Sequence, residues 1–420
     1  MLIFKKTAAT LQYHWRDPLL PVWAGAFIDV VGFSVLNPYL APIFLDLGVP
    51  VAQVGLYLSI SVSLGFFSGI FWGVLSDRYG RRPILILCRV GALVGYLLLI
   101  FSTNLTMLVI SRVVDGIFSK NFQIVLTIVG DRTPSDQRSA EMSKAGIAWI
   151  LGGLIGPAIG AVVFRFGIPG IGIFCSLLSV GALIITILFV PESHPAFLSG
   201  SAQDHGLPEG VKPTLSLGLL RQPLPRLRLS QSFFNALSLF VFRISLSLLV
   251  TVRFGFTFAQ IGLFLTATGL ISLLVRLVVF PPLLRKLGDY RTLMVGFLFF
   301  MAGFAWLIFA TTVWEIAAVT VLIAFGTNCS IDIMNGIMTR EVKPSQIGEM
   351  IGLNSAVESV ALIIGPIIGS ALIALPNPAM FGLAATMISV FPVLIGVFHD
   401  KRTHNVQPSS ELNIPDRSHL

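Results

Sequence analysis

Gly73-Val74-Leu75-Ser76-Asp77-Arg78-Tyr79-Gly80-Arg81-Arg82-Pro83 lies between two apolar runs, 51–75 and 84–103, and decides the fold class. Asp77, Arg78, Arg81 and Arg82 fall close together here, while the two runs hold a single charge between them, Arg89. Each run has the ~20 predominantly apolar residues that a helix needs to cross a bilayer. Charges gathered between two such runs belong at the water boundary, because an ionisable group at membrane depth costs about 2.5–3.5 kcal/mol.

The pattern recurs along the chain. The stretches 19–45, 105–130, 143–166, 168–190, 231–252, 259–284, 292–311, 314–338, 350–374 and 377–399 also read as spans, which makes twelve. Of 420 residues, 55% are hydrophobic and 11% charged, against roughly 25% charged in soluble proteins. The mean hydropathy is +0.87. A soluble globule of this size could not bury so much apolar surface, which excludes a soluble enzyme, a nucleic-acid binder and a disordered chain. Cys88, Cys175 and Cys329 sit inside apolar runs without metal-ligand spacing, so no metal site is expected.

Most connections are short. The exception is 191–230, rich in Pro, Ser, Gly and mixed charge. The expected organisation is an all-α integral membrane protein with a six-helix bundle over 1–190, a linker over 191–230, a second six-helix bundle over 231–400 and a disordered tail over 401–420. The first apolar run follows Lys5, Lys6 and Arg16 but is too long for a signal peptide, so it counts as a span.

Basic residues set the orientation. With the N-terminus cytoplasmic, 21 of the 28 Lys and Arg residues fall on its side, and only Arg165 and Arg253 on the other. Both termini and the linker are therefore expected in the cytoplasm. The net charge of +8 needs no nucleic acid to explain it. Five cations remain inside spans: Arg89, Arg112, Lys120, Arg243 and Arg276.

The halves repeat one another. Gln53-Val54-Gly55-Leu56-Tyr57-Leu58 returns as Gln260-Ile261-Gly262-Leu263-Phe264-Leu265, an offset of 207. Gly80 matches Gly288 and Glu141-Met142 matches Glu349-Met350, both at 208. Gly156-Pro157-Ala158-Ile159-Gly160 matches Gly365-Pro366-Ile367-Ile368-Gly369 at 209. A duplicated six-helix unit implies a pseudo-two-fold axis along the membrane normal, with a binding site between the halves near the midplane.

The loop 73–83 resembles the G-x-L-a-D-r-x-G-r-k signature of the major facilitator superfamily, and the resemblance covers nearly the whole chain. It implies a conformational gate at Gly73, Asp77, Arg78, Gly80, Arg81 and Arg82, with the Asp77 carboxylate locking the halves near the start of the eleventh helix. In the second-half copy Arg285 stands in place of Asp77. Gly152-Gly153-Leu154-Ile155-Gly156-Pro157-Ala158-Ile159-Gly160 is similar to the fifth-helix element of the superfamily's drug/proton antiporters, the tetracycline and multidrug efflux type, with Ala161 departing from the final glycine. Gly152, Gly156 and Gly160 line one face for close helix packing, and Pro157 favours a bend. Generic small-residue packing is the plainer reading, which the copy at Gly365, Pro366 and Gly369 also fits. Arg112 to Gly116 resembles the fourth-helix R-x-x-x-G pattern tied to proton transfer, except that Asp115 stands where an uncharged residue is usual.

Counting 1.5 Å per residue puts Asp29, Asp115 and Arg243 near mid-membrane, with Arg112 a turn further out. The family fold lines its cavity with helices one, four, seven and ten. Asp29, Arg112 and Asp115 are accordingly expected to couple protons, Asp29 foremost because it has no partner on its own helix. Asn37, Arg243 and Asn328 are expected in the substrate cavity. Arg276, Asp332 and Glu358 are expected to make charge contacts between the halves. The plainer alternatives are that Arg112 and Asp115 neutralise one another and that Arg243 pairs with a first-half acid.

With no nucleotide loop or catalytic triad in the sequence, the expected function is not enzymatic. The family resemblance implies a monomeric secondary transporter of a bacterial inner membrane, which exports a small, largely apolar compound in exchange for protons and needs no cofactor. An importer of an organic anion, with Arg243 as the contact, and a non-transporting sensor remain as alternatives. The topology is testable in intact cells with an impermeant thiol reagent added outside: Thr103→Cys should react and Ser201→Cys should not.

Overall fold

The computed structural model describes residues 19–134, 137–194, 218–343 and 346–404. Its regular structure there is all helical. The first half comprises α1 (Leu20–Asp46), α2 (Val51–Tyr79), α3 (Arg81–Ile100), α4 (Leu105–Arg132), α5 (Arg138–Val163) and α6 (Gly167–Phe189). The second comprises α7 (Pro223–Phe254), α8 (258–287), α9 (289–307), α10 (Val313–Arg340), α11 (Ile347–Ile373) and α12 (Ala379–His404). Ten stretches are long and apolar enough to cross a membrane, and two of these are 46 and 50 residues long. Each long stretch breaks at a glycine with positive φ, Gly167 and Gly288. Divided there, the described residues give twelve helical segments of 19 residues or more, near the ~20 that a span needs.

The repeat seen in sequence has a backbone basis. Gly80 (φ 96°) and Gly288 (φ 72°) hold equivalent turns, α2 to α3 and α8 to α9, in a region that L side chains rarely adopt. In the first half α1 packs against α5 and α6, and in the second α7 packs against α11 and α12. The glycine stripes explain both contacts. Gly152 meets Val30, Gly156 meets Ser34 and Gly160 meets Tyr39, all on α1. Gly365 meets Phe240 and Gly369 meets Ser245, both on α7.

The halves touch each other through α2–α11 and α5–α8. A Cβ on Gly55 would collide with the Pro366 carbonyl, and one on Gly262 with the Pro157 carbonyl. The two duplicated motifs therefore meet reciprocally across the pseudo-two-fold axis. Ser59 Oγ donates to Ile363 O at 2.6 Å and Ser370 Oγ to Ala52 O at 3.2 Å. Tyr39 Oη donates to Pro157 O at 2.6 Å, and the rings of Phe164 and Phe258 stack at 3.5 Å. All of these contacts lie at the end away from the basic loops. At the basic end the helices part. Gly73 is on the same face of α2 as Gly55, five turns away, and Gly348 is five turns from Pro366 on α11. Outside their own helical turns, no atom of the described residues lies within 4 Å of a Cβ built on Gly73, Gly348 or Gly352. The crevice between the halves is sealed at the far end and open at the basic end.

Two expectations need correction. The expected linker, 191–230, is shorter in the structure: α7 starts at Pro223, a helical turn at Gly218–Arg221 precedes it with Leu219 buried, and Pro191 to His194 pack on the first half. The prolines at 223 and 225 start a helix, where a missing N–H costs nothing. The expected tail at 401–420 begins within α12, which continues to His404; the rest of it, like 195–217, lies outside the described residues.

Gly55→Val and Gly262→Val should each wedge the far-end seal apart, a strain of about 1–3 kcal/mol. A cysteine at Val62, inside the cavity, should then react faster with an impermeant reagent applied at the far end than it does with both glycines intact.

Candidate substrate and proton site

Below the seal, α1, α2, α3, α4, α7 and α11 enclose a cavity of about 110 Å³. This is less than the roughly 300–1,000 Å³ of a site that engulfs a drug-sized ligand, so a ligand seated here would extend into the open crevice. The walls are mainly apolar: Phe33, Leu36, Leu40, Phe44, Leu58, Val62, Ile244 and Leu362. The polar groups are Asn37, Tyr57, Ser61, Tyr96, Arg112 and Asp115. Of the expected cavity and coupling residues, Asn37, Arg112 and Asp115 are therefore brought together. Asn37 begins a 3-10 turn, Asn37–Tyr39, that interrupts α1, and it faces the cavity exposed. Arg112 is buried; its Nη1 lies 3.4 Å from Asp115 and its Nη2 donates to Ser111 Oγ at 3.0 Å. Its Nε has no hydrogen-bond partner among the described residues. Ser61 Oγ donates to the Arg112 carbonyl at 2.9 Å, fixing α4 to α2.

Asp29 differs from expectation. It has a partner after all, on α3: Arg89 donates from Nη2 at 2.8 Å and from Nε at 3.2 Å. Arg89 is fully buried and also binds Ala182 O on α6 and the Thr186 hydroxyl. Asp29 thus sits inside the first bundle, between α1, α3 and α6, rather than free in the crevice. One-helix reasoning missed this because the partner lies 60 positions away; Arg89, an unexplained cation in a neighbouring span, was the available signal.

The second-half residues also redistribute. Asn328 does not line the cavity. Its amide donates to Ser272 O and Oγ at 3.3 Å and its oxygen accepts from Arg276 at 3.5 Å, tying α10 to α8. Arg276 lies in a π turn, Val275–Val279. Glu358 accepts from Asn354 at 2.9 Å and from the Ser232 hydroxyl. These partners, Asn328 for Arg276 and Asn354 and Ser232 for Glu358, all belong to the second half, unlike the inter-half contacts expected. The side chain of Asp332 lies outside the described residues. Arg243, eleven residues from the far end of α7, does not line this cavity as expected, although the next residue, Ile244, does; it is exposed and has no hydrogen-bond or ion-pair partner among the described residues.

At the basic end the gate motif is braced within the first half. Arg81 is buried and reaches Asp77 (2.5 Å), Asp131 on α4 (3.1 Å) and Ser76 (2.7 Å). Arg82 donates to Ile187 O on α6, and Arg78 lies over the Tyr79 ring. Gly80 lies against Glu192, whose carboxylate accepts the N–H groups of Arg81, Arg82, Ser193 and His194 at 2.9–3.1 Å. Burial alone would raise the Glu192 carboxyl, but those four N–H groups outweigh it and hold it below its ordinary 4.5. Asp131 and Glu192 were not anticipated; Pro191-Glu192-Ser193 looked like linker. The second half repeats the α3–α4 brace with its charges exchanged. Asp289, 208 positions after Arg81, pairs with Arg340, 209 positions after Asp131.

The profile of the Major Facilitator Superfamily matches residues 22–227 and 228–415, once per half. The chain belongs to that superfamily. It is 27% identical over 347 residues to the class G tetracycline resistance protein of Vibrio anguillarum, covering 81% of this chain and 86% of that one. It is 25% identical over 368 residues to the multi-drug resistance efflux pump PmrA of Streptococcus pneumoniae, covering 86% and 90%. Among solved structures, a POT family transporter in complex with a thioalcohol conjugated peptide superposes with TM-score 0.72 at 17% identity, covering 92% and 96%. The human organic anion transporter MFSD10 superposes with TM-score 0.65 at 21% identity, covering 91% and 99%.

Glu192→Gln keeps the shape but weakens the four N–H contacts. Because the folded carboxyl titrates below its unfolded value, its stabilisation is complete above about pH 4.5 and disappears as pH falls through the folded value. Thermal melts of detergent-purified protein should show the variant less stable at pH 7, with the gap closing in acid.

Proposed function

We propose that the protein is a proton-coupled exporter of a small, largely apolar compound, working by alternating access between two six-helix halves. The observation that carries this is the blind-ended apolar cavity whose wall holds the Arg112–Asp115 pair, at the sealed end of a crevice open toward the basic loops. The basic end is taken as cytoplasmic, following the charge asymmetry, so a substrate would enter from the cell interior. Relatives named for tetracycline resistance and multidrug efflux support export and a bacterial inner membrane. The protein acts as a monomer with both termini in the cytoplasm.

Proton coupling falls to Asp115 in this reading. Its contact to Arg112 is single and long, so protonating Asp115 releases Arg112 at small cost, and both face the ligand space. Asp29 is locked behind α1 by Arg89 and acts as a structural anchor. In reconstituted vesicles with an imposed pH gradient, Asp115→Asn should lose gradient-driven transport while retaining substrate exchange. Asp29→Asn should chiefly lower the melting temperature, because breaking a buried ion pair costs up to about 3–5 kcal/mol. Undiminished gradient-driven flux in Asp115→Asn, or its loss in an Asp29→Asn protein of normal stability, would return the coupling role to Asp29.

A further inference from the structure

We propose that the substrate is an amphipathic organic anion whose acidic group is taken by Arg243, an inference that rests on the transport reading above and narrows the substrate class of the same crevice.

Arg243 precedes Ile244, a cavity wall residue, and lies eleven residues from the far end of α7 at Phe254, about 16 Å along the axis. Helix α7 is flanked by α11 and α12 and touches α1 and α10, so an exposed side chain at its middle opens into the crevice and not onto lipid. An arginine left at membrane depth without a partner asks for a functional reason. The charges around it explain why none of the protein's own groups serves. Asp29 is held by Arg89 and Asp115 by Arg112. Glu358 contacts Ser232, eleven residues before Arg243 on α7, which puts it about 16 Å lower toward the basic end. Arg276 has Asn328. Lys120, at the break in α4 five residues below Asp115, lies against Gly65 and Gly69 of α2 and also has no partner among the described residues. Arg243 and Lys120 are therefore the cations that have no acid among the described residues near them.

An anion supplies what this arrangement lacks. The guanidinium offers a planar pair of donors matched to carboxylate or sulfonate. The neighbouring walls, Phe33, Leu40, Leu58, Val62, Ile244 and Leu362, suit an aromatic or aliphatic body. A lipophilic cation would meet Arg243, while Glu358, a described acid held only by neutral partners, lies about 16 Å away toward the basic end.

The test uses one aromatic body with four head groups: naphthalene carboxylate, sulfonate, carboxamide and methylammonium. Binding to the detergent-purified full chain is read by tryptophan quenching, and pH-gradient-driven flux is read in vesicles. The carboxylate and sulfonate should bind roughly tenfold or more tighter than the amide and ammonium, the value of a charge-assisted contact. Arg243→Gln should erase that preference, and Arg243→Lys should restore part of it. Arg243 leaves no group unpaired, so Arg243→Gln should melt like the wild type. Equal binding of the four probes, an anion preference that survives Arg243→Gln, or no binding by either anion would overturn the inference. Arg243-dependent anion binding without proton-driven flux would instead remove the antiport reading and leave this one standing. Proton-driven flux of the amide or ammonium, indifferent to Arg243, would do the reverse.

Discussion

Two backbone contacts seal the far end, Gly55 on the Pro366 carbonyl and Gly262 on the Pro157 carbonyl. At both sites a helix meets another helix with nothing but hydrogen on the Cα between them. Lipid provides no hydrophobic drive for helices to associate, so close packing and hydrogen bonds must hold the halves together. The Ser59 and Ser370 hydroxyls contribute the hydrogen bonds, each reaching a carbonyl of the other half. Because the contacts are small and reciprocal, they can be released without exposing a large unsatisfied surface. Five turns away, at the basic end, Gly73 and Gly348 have no such neighbour across the crevice.

The charges divide the labour between the halves. Inside the first half every described acid at depth has an arginine: Asp29 has Arg89, and Asp115 has Arg112. The first pair is tight and three-sided, with Arg89 also bound to α6, which suits an anchor. The second is long and faces the cavity, which suits a switch. The second half instead uses neutral amides, Asn328, Asn335 and Asn354, to bind its polar side chains. Arg243 is left with its guanidinium open to the crevice.

Much of this was legible in the sequence, and the part that was not has a common cause. Apolar run lengths located the helices, and the repeats at offsets 207–209 anticipated both the equivalent turns at Gly80 and Gly288 and the paired motifs at the seal. Those signals are local or periodic. The partner of Asp29, the tie from Asn328 to α8, and the hold of Glu192 on the start of α3 are long-range, and no spacing along one helix encodes them. Glu192 was hidden further because its neighbours, Pro191 and Ser193, have loop composition, although its carboxylate caps a helix start where anions are favoured. Reasoning about Asp29 as a lone acid failed because Arg89 was counted as a lone cation. At membrane depth two unexplained opposite charges in one bundle should be tried as a pair before either is given a role.

The basic end shows which part of the duplicated signature is structural. Arg81 and Asp131 brace α3 to α4, and Asp289 and Arg340 brace α9 to α10 at equivalent positions with the signs reversed. An ion pair is indifferent to which helix carries which sign, so the brace survives the exchange. Asp77 is held by Arg81 within its own half, and the repeat places Arg285 at its position in the second half, so this part of the signature is not repeated with its charge. What the duplication keeps is therefore the brace between neighbouring helices, which depends only on opposite charges meeting and not on which helix carries which.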